Sequence, residues 1–191
     1  MSGEVREKII EGTIAACRKK GLKFTMDDVA GELSMSKKTI YTVFSDKVSL
    51  MDAMVDYIFE RVKEDQNKVV SDSSLDITEK MKRILTTMPE IFSGIEFSEM
   101  YILKDKHPKL YEKVTKHLKS GWDTTFDILD CGIAEGVFRR IDHPVFEMIY
   151  EASLERFLSS DGLFNNNISY TSAQKQLVDI LIFGIKIRDY S

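Results

Sequence analysis

Between Phe24 and Leu50 the apolar residues fall into short helical stripes separated by polar breaks. Val29, Ala30 and Leu33 share one helical face. Ser34-Met35-Ser36 interrupts that face. Ile40 and Phe44, four apart, form the inner side of a second short helix, predicted over Lys37 to Val43. A third helix starts at Lys47. The residues at the breaks suit helix starts. Thr25, with Asp28 three positions on, makes a T-x-x-D capping pattern, and Ser36 and Asp46 can each cap the helix that follows. Upstream, a helix from about Glu4 to Lys20 carries an inner stripe of Ile9, Thr13, Ala16 and Cys17, and Gly21 stops it in the C′ position. Two short helices joined by a tight turn and packed on a third form a helix-turn-helix unit, whose second short helix is built to enter the DNA major groove.

The helical period continues to the end of the chain. Met51, Met54, Val55, Ile58 and Val62 predict a long fourth helix, from about 47 to 70, followed by a loop at Ser71 to Ser74. Ile77, Met81, Ile84, Leu85 and Met88 form the next face. Pro89 suits the first turn of a helix with Ile91, Phe92 and Ile95, and Phe97 to Leu103 is a further apolar stretch. Pro108 opens a long stripe of Leu110, Val114, Leu118, Trp122, Phe126, Leu129 and Ile133, which Glu135-Gly136-Val137-Phe138 ends. Of the last two helices, one carries Phe146, Ile149, Tyr150, Ser153, Leu154 and Phe157. The other carries Leu177, Val178, Ile180, Leu181, Ile182, Phe183, Ile185 and Ile187 and is apolar nearly all round. Such a helix is covered on several sides, by its own chain or by a second copy, with Gly184 permitting close approach. The expected fold is all-α: a three-helix helix-turn-helix head, residues 1–50, on a larger C-terminal helical bundle, residues 51–191, with about nine helices in all and the fourth crossing the boundary.

Composition narrows the class. Of 191 residues, 43% are hydrophobic and 30% charged, enough for a sizeable core. No apolar run approaches the ~20 residues that span a bilayer, and the N-terminus lacks a signal-peptide core. Cys17 and Cys131 are the only cysteines and read as reduced thiols. These features point to a cytoplasmic protein without a membrane partner. The net charge of −4 is unevenly spread: residues 1–50 hold nine Lys and Arg against seven Asp and Glu, net +2, and the remainder holds 18 against 24, net −6. A mildly basic head on an acidic body suits a protein that meets DNA at one end.

The outward residues of the second short helix fit that use. Lys37 and Lys38 occupy its first turn, where the helix dipole disfavours positive charge. Lys can donate to guanine O6 or N7, and Thr39 and Thr42 can read base edges or the thymine methyl. Tyr41 suits sugar and phosphate contact, and Lys47 a phosphate at the next helix start. Two adjacent lysines also suit a plain solvated face. A catalytic reading finds little. His107, His117 and His143 lack metal-ligand spacing, no glycine-rich phosphate loop is present, and no nucleophile–base pair stands out. The expectation is no enzyme, no metal and no cofactor. The competing class is a helical protein-interaction module, which would show no salt-steep DNA binding.

The N-terminal quarter of the chain resembles the DNA-binding segment of TetR-type (tetracycline-repressor-like) transcriptional regulators. The resemblance runs through Arg6-Glu7-Lys8-Ile9-Ile10, Lys20-Gly21-Leu22, Thr25 with Val29-Ala30, and Ser36-Lys37-Lys38-Thr39-Ile40-Tyr41 with Phe44, Asp46-Lys47 and Leu50. HPKLYEKV and GIAEGVFR are weaker matches further on. Three positions depart from the pattern: Ser34 stands at a turn that usually holds Gly, Lys38 where many members carry Gly, and Val43 where many carry Tyr or His. The DNA-facing set is then Thr25, Ser36, Lys37, Lys38, Thr39, Tyr41, Thr42 and Lys47.

The resemblance also implies a homodimer through the last two helices, centred on Phe146, Ile149, Tyr150, Ser153, Leu154, Phe157, Leu177, Ile180, Leu181, Gly184 and Ile187. It implies a pocket for a small-molecule effector in the body. Met88, Phe92, Tyr101, Trp122, Phe126 and Tyr150 are its candidate lining residues, although Met and aromatics at helical spacing also simply fill cores. The scarcity of converging charge suggests an effector of apolar or aromatic character. The expected activity is that of a repressor released from a palindromic double-stranded DNA operator.

Overall fold

The computed structural model describes residues 2–87 and 101–187, without the side chains of Ser2, Tyr101 and Ile102. Met88 and Phe92, and the side chain of Tyr101, therefore lie outside the described residues. The helices are α1 Ser2–Lys20, α2 Met26–Leu33, α3 Lys37–Tyr41, α4 Lys47–Ser71, α5 Ile77–Thr86, α6 Tyr101–Lys106, α7 Pro108–Leu118, α8 Asp123–Ala134, α9 His143–Ser159, α10 Gly162–Asn165 and α11 Tyr170–Ile185. A 3-10 turn, Gly21–Lys23, follows α1. Among the described residues there is no strand, only an isolated antiparallel bridge between Phe138 and Lys186.

Each helix starts and stops where local chemistry allows. Gly21 takes a left-handed conformation at φ +59° and ends α1. Pro108 occupies the first turn of α7, where its missing N–H is no loss. The apolar run from Leu110 to Ile133 is two helices rather than one. The chain breaks after Leu118, and Gly121 turns left-handed at φ +82° before α8 begins. Ser120-Gly121 supplies this break, which periodicity alone passes over.

One continuous hydrophobic cluster runs through the protein, and its N-terminal part holds the first three helices on the start of α4. Ile9, Ile10, Thr13, Ala16 and Cys17 of α1 are buried against Phe24, Val29, Ile40, Phe44 and Leu50. The Thr13 hydroxyl is satisfied by donating to the Ile9 carbonyl at 2.8 Å. Polar ties join α4 to its neighbours. Arg61 pairs with Glu7 of α1, and the Tyr57 hydroxyl donates to Glu11 at 3.1 Å. Lys113 of α7 pairs with Asp52 and Asp56, each at 2.7 Å.

The same cluster continues through Met81, Ile84, Leu85, Leu110, Leu129, Phe138, Phe146, Leu154, Val178 and Ile182. Phe138 lies over Gly132, where a Cβ would sit 2.1 Å from its ring. The link after α8 is stitched to the end of α11: the Arg139 N–H donates to the Ile185 carbonyl at 2.7 Å, and the Ile187 N–H to the Val137 carbonyl at 2.9 Å.

Candidate nucleic-acid interface

Successive side-chain caps set α2, α3 and α4 in place. Thr25 and Asp28 form a reciprocal capping box, with Asp28 N–H on the Thr25 hydroxyl at 3.3 Å and Thr25 N–H on the Asp28 carboxylate at 2.8 Å. The Lys20 ammonium reaches the same carboxylate at 2.6 Å and ties the end of α1 to α2. Those contacts, the Lys20 hydrogen bond first, hold the Asp28 carboxyl down at about 2. Ser36 accepts from the Thr39 N–H at 3.1 Å, and Asp46 accepts from the Ser49 N–H at 2.7 Å.

The turn between α2 and α3 closes as a Schellman motif. The Met35 N–H donates to the Ala30 carbonyl and the Ser34 N–H to the Gly31 carbonyl. Ser34 takes the left-handed position, at φ 49° and ψ 39°. A residue with a Cβ is strained there.

Ile40 and Phe44 face the core, so Lys37, Lys38, Tyr41 and Thr42 face outward, with Thr39 half-buried. The Lys37 ammonium pairs with Asp27 at 2.8 Å, and that hydrogen bond pushes its pKa up. Asp27 is a neighbour that periodicity did not mark. The Lys38 ammonium has no hydrogen-bond or ion-pair partner among the described residues. The Thr42 hydroxyl donates to the Thr39 carbonyl at 2.6 Å, and the Thr39 and Ser36 hydroxyls meet at 2.8 Å. The Thr25 hydroxyl donates to Asp28 at 2.9 Å. These hydroxyls therefore brace the unit, and the Lys38 ammonium and the Tyr41 ring are exposed on its outer face. Lys47 turns inward. Its ammonium donates to the Leu22 carbonyl at 2.7 Å, and desolvation lowers its pKa. A phosphate at the start of α4 would compete with Leu22 for it.

Behind this unit lies a cavity of about 180 Å³ among α4, α5, α7, α8, α9 and α11. Trp122 and Tyr150, of the predicted lining set, line it; Phe126 does not, and stacks instead on Trp122 and on His143. Lys63, Gln66, His117 and Gln174 add polar atoms that local patterning did not single out. Gln174 is buried and donates to the Leu85 carbonyl at 3.0 Å. The Tyr150 hydroxyl donates to the same carbonyl, and burial pushes its pKa up to about 12. Among the described residues no group of three His, Cys, Asp or Glu side chains could hold a metal ion. His117 meets Asp56 at 3.2 Å and His143 meets Asp130 at 2.8 Å.

The outer faces of α9 and α11 expose apolar side chains. Val145, Met148 and Ile149 stand out from α9; Ile180, Phe183 and Ile187 stand out beside an exposed Gly184 on and just beyond α11. Ile180 is 70% exposed and Phe183 66%. Phe146, Tyr150 and Leu154 correct the predicted interface set. They are buried inside the protomer and offer no surface to a partner. Ser153, Phe157, Leu177 and Leu181 are half-buried at the margin.

No family model matches the chain. An uncharacterized HTH-type transcriptional regulator, YvaF of Bacillus subtilis (strain 168), is 24% identical over 179 residues, 94% of each chain. A TetR transcription regulator from Haloarcula marismortui ATCC 43049 superposes with a TM-score of 0.72 at 17% identity, covering 97% of this chain and 100% of that one. A TetR-family transcriptional regulator from Cytophaga hutchinsonii gives 0.67 at 21% identity over 98% of each chain. The fold is the TetR type. Ser34 meets the backbone demand of the turn where that pattern usually has Gly. In this TetR-type head Val43 is half-buried and packs on the core, so Tyr41 is the tyrosine left exposed on α3.

Among the described residues no helix is long and apolar enough to cross a membrane.

Proposed function

We propose that this protein is a cytoplasmic, homodimeric transcriptional regulator. It represses from a palindromic operator and is released by a small molecule, of apolar or aromatic character, held in the cavity. Residues 1–50 are the DNA-binding unit and residues 51–191 the effector and dimer unit, with α4 running through both. The observation that carries this reading is α3, a short helix capped at its start by Ser36, with the Lys38 ammonium and the Tyr41 ring exposed on its outer face. The TetR-type fold and the regulator name of the Bacillus relative support it. The exposed apolar faces of α9 and α11 are of a kind that monomers rarely leave open. A twofold dimer through them presents two copies of α3, and half-sites roughly 34–36 Å apart, or a multiple of that, follow. Release is then linkage: an effector that binds the DNA-incompetent head spacing more tightly shifts the population towards it.

Titrating duplex DNA over a range of salt tests the DNA-facing role of α3. Lys38→Ala lowers affinity and reduces the salt slope by about one unit where the ammonium meets a phosphate. An unchanged slope and affinity in the variant would remove Lys38 from the interface.

A further inference from the structure

Thr125 of α8 is buried, at 5% exposure, and it lines the cavity. Its hydroxyl has no hydrogen-bond partner among the described residues. The helical threonines Thr13, Thr86 and Thr115 each donate to the carbonyl four residues back; Thr125 does not. Every fully enclosed side-chain nitrogen and oxygen among the described residues is hydrogen-bonded. An unpaired hydroxyl on a buried residue therefore borders open space, and for Thr125 that space is the cavity. A buried hydroxyl without a partner is unfavourable, so this one is left for whatever fills the cavity to satisfy.

The wall beside it is neutral and already ordered. Trp122, one turn before Thr125 on the same helix, meets the Tyr150 ring edge-on with centroids 5.5 Å apart. The Tyr150 hydroxyl accepts from the buried Gln174 Nε2 at 3.2 Å, and that nitrogen also donates to the Leu85 carbonyl. Only the nitrogen of the amide can serve both acceptors, which fixes its orientation. Gln174 Oε1 accepts from none of the described residues. The burial that pushes the Tyr150 hydroxyl up to about 12 also penalises an anionic ligand group at this wall. The ionisable lining groups are placed otherwise: Lys63 is exposed, and His117 is bonded to Asp56. In size the cavity, about 180 Å³, is little larger than an apolar cavity of roughly 150 Å³ that holds benzene.

We propose that the cavity takes an uncharged single-ring aromatic alcohol, of the phenol class, whose hydroxyl pairs with the Thr125 hydroxyl. The ring packs among the apolar side chains beside the Trp122–Tyr150 pair, and Gln174 Oε1 offers an acceptor to a second ring hydroxyl. The proposal rests on the reading of the cavity as an effector site and names the class of effector. Thr125 is the residue that separates an alcohol from a plain hydrocarbon of the same shape. The discrimination is physical: a hydrocarbon leaves the threonine hydroxyl unpaired, and a carboxylate brings a charge to a wall that offers it no cation.

The test is calorimetric titration of the full-length protein, after extraction of any bound ligand, with 4-ethylphenol, ethylbenzene and 4-ethylbenzoate. Each probe is then added to the protein bound to DNA recovered by selection. One site per chain is expected. The parent binds 4-ethylphenol about threefold to tenfold more tightly than ethylbenzene, and 4-ethylbenzoate more than about tenfold more weakly than 4-ethylphenol. These three probes on the parent test the class without any substitution. Thr125→Val, which exchanges the hydroxyl for a methyl group, removes the preference for the alcohol and leaves ethylbenzene binding as it was; Thr125→Ser keeps the preference. No binding of 4-ethylphenol, equal binding of 4-ethylphenol and ethylbenzene by the parent, tighter binding of the benzoate, or an unchanged preference in Thr125→Val would overturn the proposal. Binding with the expected preference but without loss of DNA keeps the ligand class and overturns the effector reading. Loss of DNA to a compound of another class, with no binding of 4-ethylphenol, does the opposite.

Discussion

The Lys47 ammonium donates to the carbonyl of Leu22 across 2.7 Å, and it lies 4.3 Å from the centroid of the Phe24 ring. One side chain at the start of α4 thus holds the loop that follows α1. Removing it leaves a part-buried acceptor short of a partner. Lys47→Met should cost about 1–2 kcal/mol, which lowers the Tm by about 2–8 °C in a chain of this size. Lys38→Ala should leave the Tm unchanged. A thermal scan of the two variants separates an anchoring lysine from a solvent-facing one.

Ser34 is a serine in a left-handed turn position, at φ 49°. Glycine relieves strain of about 1–2 kcal/mol but gives back about 0.4–1 kcal/mol in unfolded-chain entropy. Ser34→Gly should therefore stabilise by about 0.5–1 kcal/mol, and Ser34→Val should destabilise by about 1–2 kcal/mol. Urea midpoints at constant m-value report both. Equal midpoints for all three proteins would contradict the strained turn.

Asp28 gives the head a specific acid sensitivity. Its carboxyl is held at about 2, first by the Lys20 ammonium and then by the Thr25 N–H and hydroxyl. A carboxylate whose pKa falls on folding contributes stability that is present above its unfolded value, near ~4, and lost as the pH drops through the folded one. The stability gap between the parent and Asp28→Asn should be widest above about pH 5 and should close towards pH 2. Melting curves across that range measure it. A gap that does not vary with pH would mean the capping box works without the carboxylate charge.

The outer face of α11 predicts self-association. Phe183→Glu combined with Ile180→Glu places two charges on an exposed surface and leaves the protomer core untouched. Sedimentation should show a dimer for the parent and a monomer of unchanged helicity for the variant. A parent that sediments as a monomer at micromolar concentration would remove the dimer.

Much of this was legible in the amino-acid order, because much of it is local. Thr25, Ser36 and Asp46 cap helices that lie within three residues of them, and Ile40 and Phe44 take the inward side that their spacing requires. Helix α9 was less transparent. Its apolar residues face both inward, at Phe146, Tyr150 and Leu154, and outward, at Val145, Met148 and Ile149, so one stripe merged two faces. The cavity was least legible. Lys63, His117 and Gln174 belong to three helices far apart in the chain, and only packing brings them round one space. Lys47 shows a similar limit: its position suits a phosphate, but its partner is a carbonyl 25 residues away.

The central claim is sequence-specific DNA recognition by a twofold dimer. Selection of the purified full-length protein against random duplex DNA, read by sequencing, tests it most directly. Enrichment of a palindrome with half-site centres roughly 34–36 Å apart, or a multiple of that, is the predicted result. A folded dimer that enriches no sequence at low salt, after extraction of any bound ligand, would contradict it and favour a protein-interaction module.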